Sequence, residues 1–168
     1  NLRLIDASNF TLSEILKFTS TNDNILVQSE DKKMFKRNDF KIVSKKKPSI
    51  SLFNDLIFAF NICRYVKSNA IVLASNKSTL GIGCGQTSRL DSCQIAIDKM
   101  KKFTKPSKDI VAASDAFFPF TDGIEKLVQS GVKAVIQPAG SIKDKEVIKF
   151  ANETGTILVF SKTRHFRH

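Results

Sequence analysis

Residues 110–160, IVAASDAFFPFTDGIEKLVQSGVKAVIQPAGSIKDKEVIKFANETGTILVF, alternate short apolar runs with segments of helical period. Ile110–Ala113, Ala134–Ile136 and Thr156–Phe160 have the composition of buried strands, and Thr121 or Asp122 to Gln129 and Asp144 to Asn152 read as the helices between them. Thr121 or Asp122 offers an N-cap to the first helix, and Gly155 closes the second. A strand-helix rhythm with so few residues between elements predicts a layered sheet with helices packed on its faces.

The rhythm extends upstream to Pro48. Pro48 with Ser49 or Ser51 marks a helix start, and Leu52, Phe53, Leu56, Ile57, Phe60, Cys63 and Tyr65 mostly recur at helical spacing towards an end near Ser68. Ala70–Ala74 reads as a buried strand, Asn76-Lys77-Ser78 as a turn and Thr79–Gly83 as a second strand, which together predict a hairpin. Ser88–Phe103 is a further helix, basic at its end through Lys99, Lys101 and Lys102, with Pro106 as its stop. The expected class is α/β, a layered α/β/α mixed sheet. Residues 1–47 read as edge strands and a variable segment, with strands at Leu2–Ile5, Ile25–Gln28 and Phe40–Val43 and a helix over Thr11–Phe18, placed against an edge of the same sheet.

A chain of 168 residues, 42% hydrophobic, is expected to form one domain over 1–168, with residues 48–168 as its α/β core. The formal charge of +11 favours anionic partners without choosing among them. The densest basic run, Lys45-Lys46-Lys47, abuts Pro48 and lacks interleaved aromatics, so it reads as a solvated loop and no nucleic-acid partner is expected. Cys63, Cys84 and Cys93 form no Cys-x-x-Cys pair, so neither a disulfide framework nor a zinc or other metal site is signalled, and a reducing cytoplasmic setting fits. No apolar run reaches the roughly 18–20 residues of a membrane span. The first residue is Asn, which raises the expectation of a piece of a longer polypeptide.

Four segments carry candidate chemistry. Gly81-Ile-Gly-Cys-Gly-Gln86 lies between a strand and a helix, but its glycine spacing fits neither a dinucleotide fingerprint nor a P-loop. Close passage of the backbone to a ligand or a neighbouring strand explains it better, with Gln86, Ser88 and Arg89 facing that ligand. Ser114-Asp-Ala-Phe-Phe-Pro-Phe120 is either core or the wall of an aromatic pocket, and Asp115 resists the core reading because an unpartnered buried carboxylate is costly. Pro138-Ala-Gly-Ser-Ile142 also follows a strand. The tail, Ser161-Lys-Thr-Arg-His-Phe-Arg-His168, is either a solvated basic end or part of a site, with Arg164 as an anion fork, Phe166 as a flat face, and His165 and His168 as the chain's two imidazoles. Ligands gather outside strand carboxyl ends in open α/β sheets, which favours one shared site; Asn69, just before a strand, is the one outlier, and its plain structural reading is a turn residue.

Five motifs in order, Tyr65-Val-Lys-Ser-Asn-Ala-Ile-Val72, Gly81-Ile-Gly-Cys-Gly-Gln-Thr-Ser-Arg89, Ala113-Ser-Asp-Ala-Phe-Phe-Pro-Phe120, Val135-Ile-Gln-Pro138 with Gly140-Ser141, and Arg164-His-Phe-Arg-His168, resemble the C-terminal half of the AICAR transformylase domain of the bifunctional purine biosynthesis family. The likeness is dense from about Leu26 onward and weaker before it. It implies a cytidine-deaminase-like fold and formyl transfer from the co-substrate 10-formyltetrahydrofolate to the 5-amine of AICAR, the aminoimidazole carboxamide ribotide. It also implies a homodimer. By the same resemblance Asn69, Arg89, Phe117 and Arg164 would bind AICAR, Leu90, Asp122, Ser141 and Ile142 would face the folate, and His168 would be catalytic, near the reacting amine.

The departures are specific. The family's Lys-His pair belongs to the first transformylase half, and no Lys-His dipeptide occurs here. That half and the IMP cyclohydrolase domain are therefore expected to be missing, and turnover by this chain alone is not expected. Phe120-Thr121-Asp122 stands where relatives commonly carry Phe-Arg-Asp. The deaminase zinc motif is absent, which argues against deamination. The alternative function is a non-catalytic ribotide-binding or dimerisation module.

Overall fold

The four central strands of the main sheet are apolar on both faces because helices cover both. The computed structural model describes residues 6, 16–103 and 108–168, and the chain divides into two compact units, Asn1–Lys33 and Met34–His168. In the first unit, β1 (Lys17–Thr21) and β2 (Asn24–Gln28) form a two-stranded antiparallel sheet with Phe18 opposite Val27. The expected strand at Ile25–Gln28 is thus present, but it pairs with its neighbour in sequence and is not a strand of the main sheet. The helix expected to reach Phe18 is replaced at Lys17–Thr21 by strand, where an aromatic and two threonines favour extended backbone. The rest of that helix, the Leu2–Ile5 strand and the Pro106 stop fall outside the described residues.

The second unit holds β3 (Phe40–Ile42), α1 (Ile50–Cys63), β4 (Ile71–Ser75), β5 (Ser78–Gly83), α2 (Arg89–Phe103), β6 (Ile110–Ser114), α3 (Asp122–Gln129), β7 (Val132–Pro138), α4 (Asp144–Glu153) and β8 (Ile157–Ser161). Its six strands run in the order β3-β8-β7-β6-β4-β5. β6, β7 and β8 are parallel, while β4 is antiparallel to β5 and β6, and β3 to β8, so the sheet is mixed as expected.

Strand alternation sorts the core into two layers. Val72, Ala74, Val111, Ala113, Ala134, Ile136 and Val159 face α1, which buries Phe53, Leu56 and Phe60 against them, each contributing about 1.5–3 kcal/mol. Ile71, Leu73, Ala112, Val135 and Leu158 face the opposite way, onto Cys93, Ala96 and Ile97 of α2, Ile124 and Leu127 of α3, and Val147 and Ala151 of α4. The result is the expected α/β/α sandwich.

Local chemistry fixes the element ends. The Ser49 side chain accepts from the Leu52 amide, the N-cap anticipated for α1, but the helix stops at Cys63, five residues before the expected end near Ser68. Asn76 and Lys77 turn the β4-β5 hairpin with φ of 51° and 53°, and their amides donate to the two oxygens of buried Asp55 on α1 at 2.9 and 2.8 Å. A buried carboxylate so satisfied carries little penalty. It also pins the hairpin to the helix.

Candidate functional site

Strand direction assembles the site. Because β6, β7 and β8 are parallel, their carboxyl ends, Ser114, Pro138 and Ser161, lie along one edge of the sheet. β4 runs the other way, with Ile71 opposite Ser114, so residues preceding β4 reach that same edge. This is how Asn69, before a strand, comes among residues that follow strands. β5 ends there too, Gly83 opposite Ile71, and passes the chain on to α2.

The glycines of β5 serve this handover. A methyl group on Gly83 would lie 1.9 Å from the Ser92 carbonyl oxygen, and one on Gly81 would lie 2.1 Å from that of Ala96. The close neighbour is therefore helix α2, not a ligand or a strand. Bare backbone at 81 and 83 lets α2 lie directly on β5 and sets the position of its first residue, Arg89.

Arg89 is held by three partners. Its Nη1 donates to Ser114 Oγ at 3.0 Å and to a carboxylate oxygen of Asp115, and its Nη2 donates to Asn69 Oδ1 at 2.7 Å. Asn69 is oriented in turn by donating through Nδ2 to the Gln86 and Thr87 carbonyls at 2.9 and 3.0 Å. The Arg89 side chain is 10% exposed and that of Asp115 0%. A cation and an anion so buried compensate each other, which accounts for Asp115 at a strand end.

The tail closes the arrangement. The His165 amide donates to the Asp115 carbonyl at 2.9 Å, the Ser68 amide to the Arg167 carbonyl at 3.0 Å and the Arg167 amide to Ser68 Oγ at 3.2 Å. Side chains along it alternate in exposure: Arg164 and Phe166 are exposed, whereas His165 is 1% exposed, its ring centroid 5.1 Å from that of Phe35 and 4.5 Å from that of Phe60. His165 is a core residue. Arg164 lies over the Phe117 ring at 4.7 Å, a cation–π contact. Gly140, at φ 108°, flanks it, since a methyl group there would come within 3.4 Å of Arg164 Nη2.

Between these elements lies a cleft of about 510 Å³ whose lining includes Asn69, Arg89, Leu90, Phe117, Asp122 and Arg164. Arg89 and Arg164 thus share one cavity, with a wall of Phe117, Phe118, Pro119 and Phe120. Grooves around Lys45 and Lys149 and around Asn54 and Asn76 contain no candidate residue.

The family model for the AICARFT/IMPCHase bienzyme matches residues 1–99. The chain belongs to this family. The bifunctional purine biosynthesis proteins PurH of Persephonella marina and Chlorobium phaeobacteroides are each 44% identical to it, over 169 and 168 residues, across 100% of this chain and 32% of each relative. The chain therefore spans about a third of the length of the curated relatives it matches. The crystal structure of apo dCMP deaminase from the cyanophage S-TIM5 is similar over 67% of this chain and 97% of that one, at 19% identity and a TM-score of 0.44. No helix among the described residues is long and apolar enough to cross a membrane.

Six of the nine residues singled out by the family resemblance line the cleft. His168 stacks on Phe166, itself a lining residue, with centroids 6.2 Å apart and planes 16° from parallel. Ser141 and Ile142 lie outside the lining; the Ser141 amide donates to Asp144 at 3.2 Å, and Ile142 is 99% exposed. Thr121 is the N-cap residue of α3 but makes no side-chain cap hydrogen bond. Thr87 and Gly123 were not anticipated as lining residues. Gly123 could have been found, because a small residue behind an aromatic run leaves space for it: a methyl there would lie 2.5 Å from the Phe118 ring.

Burial also separates the cysteines. Desolvation pushes the Cys63 thiol well above its usual range, aided by the nearby Asp115 charge, and pushes Cys93 up to about 12. Cys84 is exposed.

Proposed function

We propose that this chain forms one side of an AICAR formyltransferase site in purine biosynthesis, completed by the part of its relatives that lies outside the third of their length it matches. The observation that carries the reading is the convergence of Asn69, Arg89, Phe117 and Arg164, from four separate segments, on one cleft. Two guanidinium groups and an aromatic wall suit a flat, anionic ribotide. Leu90 and Asp122, at the starts of α2 and α3, offer an adjoining surface for 10-formyltetrahydrofolate, with Ser141 and Ile142 completing it once the second co-substrate or the rest of the site is in place.

In the reaction, the ribotide 5-amine attacks the formyl carbon, the bond to the folate N10 breaks, and one proton passes from the amine to that nitrogen. The tetrahedral intermediate carries an oxyanion that a nearby donor must steady. His168 is the proton-handling group of this side of the site, and the dominant acid–base pair belongs to the part of the relatives outside the matched third. A homodimer would bring further residues to the same cleft.

Calorimetry with AICAR and a spectrophotometric assay of tetrahydrofolate release test the reading. The chain alone should bind AICAR without turnover, and adding the segment of a relative that lies outside the matched third should bring about formyl transfer. Failure to bind AICAR would refute the site, turnover by the chain alone would refute its incompleteness, and binding without recovery on complementation would favour a non-catalytic ribotide-binding module.

A further inference from the structure

The cleft contains two arginines in different electrostatic states. Among the described residues, Arg164 is exposed and has no ion pair, its guanidinium resting on Phe117. Arg89 is nearly buried, and its two terminal nitrogens are engaged by Ser114, Asp115 and Asn69. Only one of these partners is charged. A guanidinium held by neutral groups alone in so little solvent would bear a large desolvation cost, so the Asp115 carboxylate keeps the cation in place.

Asp115 does more than neutralise. Its amide donates to the Ala70 carbonyl at 3.2 Å and its carbonyl accepts from the His165 amide at 2.9 Å, which ties it to the start of β4 on one side and to the tail bearing Arg164 and His168 on the other. Its side chain, main-chain amide and main-chain carbonyl thus reach three pieces of the cleft. We infer that Asp115 is a positioning residue, outside the cleft lining, that sets the direction of the Arg89 fork at the cleft floor and thereby the affinity for the anionic ribotide. The affinity part of this inference rests on the proposed function; the orientation part rests on geometry alone.

Asp115→Asn keeps the shape and removes the charge. In the full chain it should weaken AICAR binding about tenfold or more, and a crystal structure of the variant should show the Arg89 guanidinium turned off Ser114 and Asn69. The discriminating measurement is a double-variant cycle with Arg89→Met. If Asp115 acts through Arg89, Asp115→Asn should cause no further loss of AICAR affinity once Arg89 is replaced; a general structural role would lower affinity equally in both backgrounds. Unchanged affinity in Asp115→Asn, or equal loss in the two backgrounds, would overturn the inference. Should Asp115→Asn fail to fold, Arg89→Met with Asp115→Asn should restore folding by removing the stranded cation, and no recovery would also overturn it. If the unaltered chain binds no AICAR, the cleft reading fails, and the crystal structure alone decides the orientation: an undisplaced Arg89 refutes it.

Discussion

Arg164 is the most accessible cation of the cleft, and its placement depends on two neighbours of opposite kind. Phe117 offers a face that attracts the guanidinium, and Gly140 leaves room for it. Arg164→Ala should raise the AICAR dissociation constant about tenfold or more, as for loss of a charge-assisted contact, with the melting temperature nearly unchanged because the side chain is exposed. Gly140→Ala should reproduce part of that loss, since its φ of 108° disfavours any other residue and the backbone beside Nη2 would have to shift. Calorimetry on both variants checks this pair. Thiol chemistry gives a separate residue-scale test. Native protein at pH 8 should label with an aromatic disulfide reagent at Cys84 alone, and all three cysteines should react in denaturant. Raised thiol values in the fold mean that the unfolded chain loses those protons first as pH rises. Stability contributed by buried Cys63 and Cys93 is therefore intact below about pH 9 and declines as pH climbs towards the Cys93 value of about 12. Melting temperatures from pH 8 to 11 should fall, less steeply in Cys93→Ala after correction for its lower starting stability.

At the scale of elements, the sequence was most informative where periodicity, caps and turn chemistry agreed. Ser49, the Asn76-Lys77 turn and Gly155 each mark an end that the structure retains, because the Ser49 cap and the positive φ at Asn76, Lys77 and Gly155 are properties of those residues and their neighbours in sequence. It was least informative where the partner was distant. Gly81 and Gly83 look the same in sequence whether the backbone approaches a ligand, a strand or a helix, and only the packing of α2 on β5 distinguishes these. His165 reads as a titrating site residue until its alternation with exposed Arg164 and Phe166 is seen to turn it inward. The short β1-β2 ladder hides behind a segment whose composition also fits a helix. Gly83→Ala tests the packing account. With the added carbon 1.9 Å from a backbone oxygen that no rotamer change can move, the variant should lose about 3 kcal/mol or more in urea unfolding. A loss below about 1 kcal/mol, or the gain of about 0.5–1 kcal/mol that alanine ordinarily brings inside a strand, would mean that α2 is free to slide.

At the scale of the whole molecule, the site follows from topology. Had β4 run parallel to β6, Asn69 would sit at the opposite edge of the sheet from Ser114, and Arg89 would lose the amide that holds its second nitrogen. No motif encodes that direction; it comes from a hairpin inserted beside a parallel β6-β7-β8 array, so strand ends could be recognised from sequence while the way Asn69 joins them could not. The same topology predicts which part of the chain is dispensable for folding. All the buried hydrophobic residues described, from Phe35 to Phe160, lie in 34–168, as do all six strands of the main sheet. A two-stranded hairpin in water is marginally stable by itself, and β1-β2 exposes Phe18, Ile25 and Val27. Deleting residues 1–33 should therefore leave a cooperative unfolding transition with a similar urea m-value and midpoint, since m follows the surface exposed on unfolding. AICAR affinity should also persist, because every cleft residue named above lies beyond residue 33. A collapse of the midpoint on deletion would refute the assignment of the whole cooperative core to residues 34–168.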